Sequence, residues 1–178
     1  MKKALLIATV LFIAVISTAC INNIAVQELN NKAAEYMQKG DYESAINRLQ
    51  ASLDLDATMY ETYYNLGIAA TNAKKYDTAI DALENGIKIK SDFADFYYSL
   101  AVAQAELAES IIESKEDAKK ETTKEDKEKA IELKTSAITN AKKYLELKPQ
   151  AEDKADVEEF IEDLLEEDKE EQPVVLKG

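Results

Sequence analysis

From Val26 onward, bulky apolar and small residues recur at spacings of three and four among charged ones. That spacing is the mark of helices that bury one face. The segments 26–59 and 60–93 align without a gap and are each 34 residues long. Leu29 and Leu49 in the first stand where Tyr63 and Leu83 stand in the second, and Leu66 falls on the same periodic face. The small residues Ala33 and Ala45 stand where Gly67 and Ala79 stand, as helices that approach closely require. Midway, Gly40 precedes Asp41-Tyr42, and Lys74 precedes Lys75-Tyr76. Each segment therefore predicts two helices joined by a tight turn.

The pattern restarts after Phe93 with Tyr97, Leu100 and Ala101, but its second half arrives late. Ala137, Ala141, Tyr144 and Pro149 close this third unit about 24 residues beyond the regular spacing, near residue 151. The extra piece, about 112–133, holds almost balanced charge: from Glu113 to Lys134 there are eight acids and seven bases. Glu116 with Lys120 and Glu125 with Lys129 stand four apart, acid first, which supports a helix by a few tenths of a kcal/mol each. Two readings compete. Both helices of the third hairpin extend past the stack with a turn near Thr122-Thr123, or the segment is a disordered loop. Only two prolines and four glycines occur in the chain, and none falls in this segment, which favours long helices. Beyond Pro149, Val157, Phe160, Ile161, Leu164 and Leu165 repeat at helical spacing with acids opposite. A helix over 152–168 with this pattern suits the end of a stack, apolar inward and polar outward.

The repeated marks resemble the tetratricopeptide repeat (TPR) family, whose unit is a 34-residue helix–turn–helix hairpin. The family's Leu-Gly pair is matched by Leu66-Gly67, its turn tyrosine by Tyr42 and Tyr76, and its second-helix small residues by Ala45 with Ser52 and Ala79 with Gly86. The first unit has Lys32-Ala33 for the Leu-Gly pair, and Ala57 and Ser91 stand where the closing proline is expected. The resemblance implies an all-α superhelix of about three hairpins over 26–168 (units 26–59, 60–93 and 94–151) with a C-terminal capping helix. Residues 169–178 are expected to be an acidic tail.

The resemblance also implies a partner-binding concave side, lined by the first helix of each hairpin. Outside the packing positions these helices carry Asn30, Asn31 and Ala34, then Tyr64, Asn65, Ile68 and Asn72, then Tyr98, Ser99 and Val102. Asparagine offers donor and acceptor to a peptide backbone, and tyrosine offers rigid contact area. Asn30, Asn31, Tyr64, Asn65, Asn72, Tyr98 and Ser99 are therefore the candidate partner-binding residues. Each has a packing alternative, such as Tyr64 or Tyr98 wedged between units and Asn65 bracing the hairpin. With no Lys or Arg at these positions, a clamp for a carboxylate-ended peptide is not expected. A neutral or mildly basic segment fits better, and the groove is expected to be less acidic than the outer faces. Three hairpins are near the minimum for an independent array, which leaves room for association with a partner or a second copy. A different reading makes the chain a structural spacer acting through its long third hairpin.

Composition narrows the chemistry. The chain has 178 residues, 22 basic and 35 acidic, with no histidine and one cysteine, Cys20. A net charge of -13 repels a phosphate backbone, so no nucleic-acid partner is expected. The commonest general base and metal ligand is absent, and no intramolecular disulfide can form. No phosphate-cradling glycine loop, nucleophile elbow or HExxH occurs. Neither enzyme activity, a metal site nor a cofactor is expected.

The first residues have the three-part layout of an export signal: Lys2-Lys3, an apolar run from Ala4 to Ile16, then Ser17, Thr18 and Ala19 before Cys20. The last part resembles a bacterial lipobox, with Ser17 where leucine is usual. That resemblance implies cleavage of 1–19, lipid on Cys20 and a membrane-anchored protein of the cell envelope, with 20–25 as a short linker. An ordinary signal peptide and a retained N-terminal anchor are the alternatives. Removing 1–19 takes two lysines and no acid, so the charge moves from -13 to -15.

Overall fold

The computed structural model of the chain describes residues 23–117 and 122–171, and every regular element among them is an α-helix. Helix α1 runs over 23–38, so the helix includes residues 23–25, expected in the linker. It is followed by α2 (Tyr42–Leu55), α3 (Tyr60–Asn72), α4 (Tyr76–Ile89), α5 (Ala94–Asp117), α6 (Lys124–Leu147) and α7 (Lys154–Glu171). The helices pair as α1–α2, α3–α4 and α5–α6, with α7 closing the end of an α-α superhelix.

Both short hairpins turn the same way for the same reason. Gly40 at φ 73° and Lys74 at φ 57° occupy the left-handed region, which reverses the chain directly after a helix. The following amides close each turn, from Asp41 N to Tyr36 O at 2.9 Å and from Lys75 N to Ala70 O at 2.8 Å. Glycine adopts this conformation without cost, whereas a lysine does not. The Asp41 carboxylate then accepts from Ser44 N at 3.1 Å and starts α2.

The repeated small residues let large ones sink. Ala45, Ala79, Ala69, Leu49 and Leu83 are completely buried. A methyl group added at Gly67 would collide with the Leu83 side chain, and one at Gly86 would collide with the Phe96 ring. Phe96 is fully buried and is ringed edge-on by Phe93, Tyr60 and Tyr64, with centroids at 5.3, 6.4 and 5.7 Å. This contact locks α4 of the second hairpin onto α5 of the third.

A second buried cluster joins the third hairpin to α7 through Ala101, Ala137, Ala141, Tyr144, Val157 and Ile161. Ala141 and Tyr144 exchange the usual large and small sizes, and the structure shows why this is tolerated. The Tyr144 ring lies 5.3 Å from that of Tyr98, and its hydroxyl donates to Asp153 Oδ1 at 2.6 Å. One large side chain thus fills the seam and also ties the loop before α7. Lys148 crosses to Asp95 at 2.6 Å, holding the last residue of the hairpin against its first turn.

Over the described residues 112–117 and 124–133 the third hairpin is helical, as the long-helix reading expects. Helices α5 and α6 have 24 residues each, against 13 and 14 for α3 and α4. Thr122 and Thr123, where the sequence placed the turn, are non-helical and precede α6, and residues 118–121 lie outside the described residues. Thr123 caps α6 by a reciprocal box: Asp126 N donates to Thr123 Oγ1 and Thr123 N donates to Asp126 Oδ2, both at 3.1 Å. The expected Glu125–Lys129 pair is replaced by Lys124–Glu128 at 3.4 Å. Both side chains of that pair are exposed, so the exchange matters little to stability. The cap helix runs through residue 171, beyond the expected 168, and 172–178 lie outside the described residues.

The Gly86–Phe96 contact makes a sharp test. Gly86→Ala gains up to about 1 kcal/mol of helix propensity. It must also displace a ring that has nowhere to go, and overpacking of this kind costs about 1–3 kcal/mol. We expect a net loss of stability and a lower denaturation midpoint in urea, whereas Gly40→Ala, which meets no neighbour, loses about 1 kcal/mol through backbone strain alone.

Candidate functional site

Helices α1, α3 and α5 lie side by side, and α2, α4 and α6 form the other layer. Polar ties stitch these layers at buried places. The Asn30 amide donates to Ser52 Oγ at 2.8 Å and to Val26 O at 2.9 Å, while Thr62 Oγ1 donates to Asn30 Oδ1 at 3.1 Å. Ser52 and Thr62 are fully buried, so this one side chain satisfies polar groups of three helices. Asn140 and Gln104 make the equivalent tie between α6 and α5 at 2.8 Å.

The seven candidate residues therefore divide. Asn30 takes part in the network between α1, α2 and α3. Tyr64 stands edge-on to Phe93 and Phe96, and Tyr98 packs on Tyr144 and, at 6.0 Å, on Phe160. Burial, with Asp153 and Asp156 nearby, pushes the Tyr98 hydroxyl above the usual tyrosine range. Asn31 and Asn72 are exposed, and Asn65 and Ser99 half-buried. Asn72 donates back to Ile68 O of its own helix at 2.8 Å. On α3 and α5, Ile68 and Val102 are half-buried beside these polar residues.

One recess near these helices lies where α5 faces α7. It is a cleft of about 420 Å³ with Val102, Ala105, Phe160 and Leu164 along its apolar surface. Glu106, Glu109, Glu113 and Asp163 stand around it, and Lys134 of α6 reaches it with only 6% of its surface exposed. One expectation holds and one is corrected. The candidate first-helix positions carry no lysine or arginine, and the concave side receives Lys134 from the second helix of the third hairpin. The concave side is, however, strongly acidic at this end, because the lengthened α5 continues its inner face through Glu109 and Glu113 and because α7 turns Asp163 towards it. The spacing of Glu106 and Glu109, four and seven residues after Val102, was a sufficient signal for α5. The direction of α7 had no such signal.

Glu106 is held in place. The Tyr76 hydroxyl donates to its carboxylate at 3.0 Å, linking the start of α4 to α5. Burial pushes the Tyr76 hydroxyl up to about 12, helped by the bond to Glu106 and by the negative charges of Glu109 and Glu113. A second, more open recess of about 750 Å³ lies on this side of the acidic row, bordered by Lys74 and Lys75. Lys75 is already engaged by Glu43. Among the described residues, no three or more acids and cysteines come together to hold a metal ion. Nor, among them, is any helix long and apolar enough to cross a membrane.

Residues 33–70 and 71–107 match the family model described as TPR repeat. No curated protein matches the chain by sequence. Several solved structures share the fold. The first TPR domain of the human RPAP3 protein superposes with a TM-score of 0.63 at 16% identity, covering 82% of this chain and 95% of that one. The second TPR domain of human RPAP3, in complex with the HSP70 peptide SGPTIEEVD, gives 0.62 at 13% identity over 79% and 98%. The Yersinia enterocolitica type III secretion translocator chaperone SycD gives 0.60 at 18% identity over 81% and 86%. These likenesses show the fold, a TPR-like superhelix.

The Tyr76–Glu106 bond has a readable pH signature. Because the folded hydroxyl stays protonated to about 12 while an unfolded tyrosine ionises near 10, its contribution is complete below pH 10. It is then lost as pH rises from 10 towards 12. Urea denaturation across this range is expected to show a steeper alkaline fall for the native chain than for Tyr76→Phe. At pH 7 the variant loses about 1 kcal/mol with the hydrogen bond.

Proposed function

We propose that this chain is a non-catalytic adaptor whose TPR superhelix binds a polypeptide along its concave side. The observation that carries the reading is the first-helix layer itself. It presents half-buried Ile68, Asn65 and Val102, and it ends in the cleft between α5 and α7. A surface of this kind suits an extended segment, with apolar recesses for side chains and asparagine amides for the backbone. The HSP70 peptide seated on the RPAP3 domain shows that a solved relative of the fold holds a peptide. That peptide contains two glutamates and an aspartate, whereas this chain places four carboxylates around its own cleft. The partner here has different chemistry.

The proposal includes the address. Lys2-Lys3, the apolar run 4–16 and Ala19-Cys20 support export with lipid on Cys20, which would hold the superhelix at the surface of a bacterial envelope membrane. All of these residues lie outside the described ones. The mature surface is acidic, so the lipid rather than the protein surface makes the attachment. Intact-mass measurement of membrane-extracted protein is expected to show a chain beginning at Cys20 with added acyl mass. A chain still starting at Met1, or an unmodified cysteine, rejects the tether.

A second reading, a spacer or assembly part that also meets copies of itself, draws on the two 24-residue helices of the third hairpin. Affinity for a natural partner separates the readings. With the polypeptide recovered by crosslinking in native cells, Tyr64→Ala combined with Asn65→Ala is expected to weaken binding more than about tenfold, as loss of an aromatic anchor does. Glu162→Ala with Glu166→Ala on the outer side of α7 leaves it nearly unchanged. Because Tyr64 also packs on Phe93 and Phe96, Asn65→Ala alone is measured beside it and moves affinity in the same direction. Binding that survives these changes but is lost on deleting 112–133 supports the spacer.

A further inference from the structure

We infer that the cleft between α5 and α7 receives a cationic amphipathic segment, with lysine or arginine against Glu109, Glu113 and Asp163 and an apolar side chain on Phe160. This rests on the polypeptide-binding reading above and names its chemistry and its end of the groove. Among the described residues, four carboxylates face the cleft against one ammonium, that of Lys134. Several carboxylates elsewhere on the chain have cations of their own, such as Glu43 with Lys75, Asp95 with Lys148, Glu128 with Lys124 and Glu158 with Lys154, while others such as Asp77, Asp81 and Glu84 stand singly in solvent among the described residues. Among the described residues, Glu106, Glu109, Glu113 and Asp163 have no such ion pair, and the one bond to this group comes from the neutral Tyr76 hydroxyl.

The arrangement carries a standing repulsion. Glu106, Glu109 and Glu113 lie three and four residues apart on one face of α5, and like charges at that spacing oppose each other. A cation placed between α5 and α7 relieves that repulsion. The recess is also apolar enough to take a side chain, since Phe160 is half-buried and Leu164 is buried beneath it. A simple inorganic cation uses the charge and leaves this surface unused. A lysine- or arginine-bearing segment with an adjacent apolar residue uses both. An acidic segment is repelled, so the same charges give selectivity by exclusion.

The test uses the full chain and three fluorescein-labelled peptides of one length and leucine content, with lysine, glutamine or glutamate at the remaining positions. Fluorescence anisotropy is expected to rank lysine above glutamine above glutamate. The lysine peptide's affinity also falls with added salt. Glu109→Gln, Glu113→Gln and Asp163→Asn together are expected to weaken it by about tenfold. A matched triple on the outer side of α7, Glu158→Gln, Glu162→Gln and Glu166→Gln, is expected to change it less than about twofold. All six substituted residues are exposed, and circular dichroism confirms that both triples keep their helices. Equal losses from the two triples mean attraction by net charge alone and overturn the inference, as does failure of the lysine peptide to bind or preference for the glutamate peptide. Binding of the glutamine peptide that ignores the cleft triple but is lost with Asn65→Ala overturns it while leaving the groove reading intact.

Discussion

The superhelix depends on how closely its helices can approach, and the tightest constraint is Gly86 against Phe96. The absence of a side chain at Gly86 lets the Phe96 ring come directly against α4, fully buried. The rings of Phe93, Tyr60 and Tyr64 then close around it. This one seat sets the angle between the second and third hairpins. It therefore sets where the inner face of α5 lies relative to α3. Gly67 against Leu83 does the same inside the second hairpin. Below these contacts the polar ties of Asn30 and Asn140 select a register, since each leaves buried partners unsatisfied if a helix slides.

Much of this was legible because it is periodic. The two 34-residue segments place Ala45, Ala79, Leu49 and Leu83 at equivalent positions, and all four are fully buried. The long third hairpin was legible as an absence of breakers, and Thr122-Thr123 marked its turn. Less was legible wherever an interaction crosses between elements that no repeat relates. Tyr64 and Tyr98 look outward by helical phase alone, yet Phe93, Phe160 and Tyr144 come from other helices to cover them. Asn30 looks outward too, until Thr62 of the next unit reaches it. The acidic cleft was hidden for a related reason. Residues 112–133 read as a solvated, charge-balanced extension, but the inner face of α5 runs into that stretch and meets α7 there.

Charge gives the concave side a direction. Its α1 and α3 portion presents asparagines and aliphatic side chains, and its α5–α7 end presents carboxylates around an apolar recess. On the proposed reading, an extended chain lying along such a surface would be oriented by its own basic end. Tyr76 contributes by fixing Glu106 without neutralising it. The long helices α5 and α6 carry this end of the groove outward from the stack. If lipid on Cys20 holds the other end at a membrane, the acidic cleft stands at the far side of the molecule's chain order.

The central claim, that the inner layer is where another polypeptide sits, is tested most directly by crosslinking the full chain in its native cells and mapping the attached residues by mass spectrometry. The account predicts crosslinks concentrated on α1, α3 and the inner face of α5, with a cluster beside Phe160 and Asp163. Crosslinks confined to 112–133 or to the outer side of α7 around Glu162 and Glu166 contradict it.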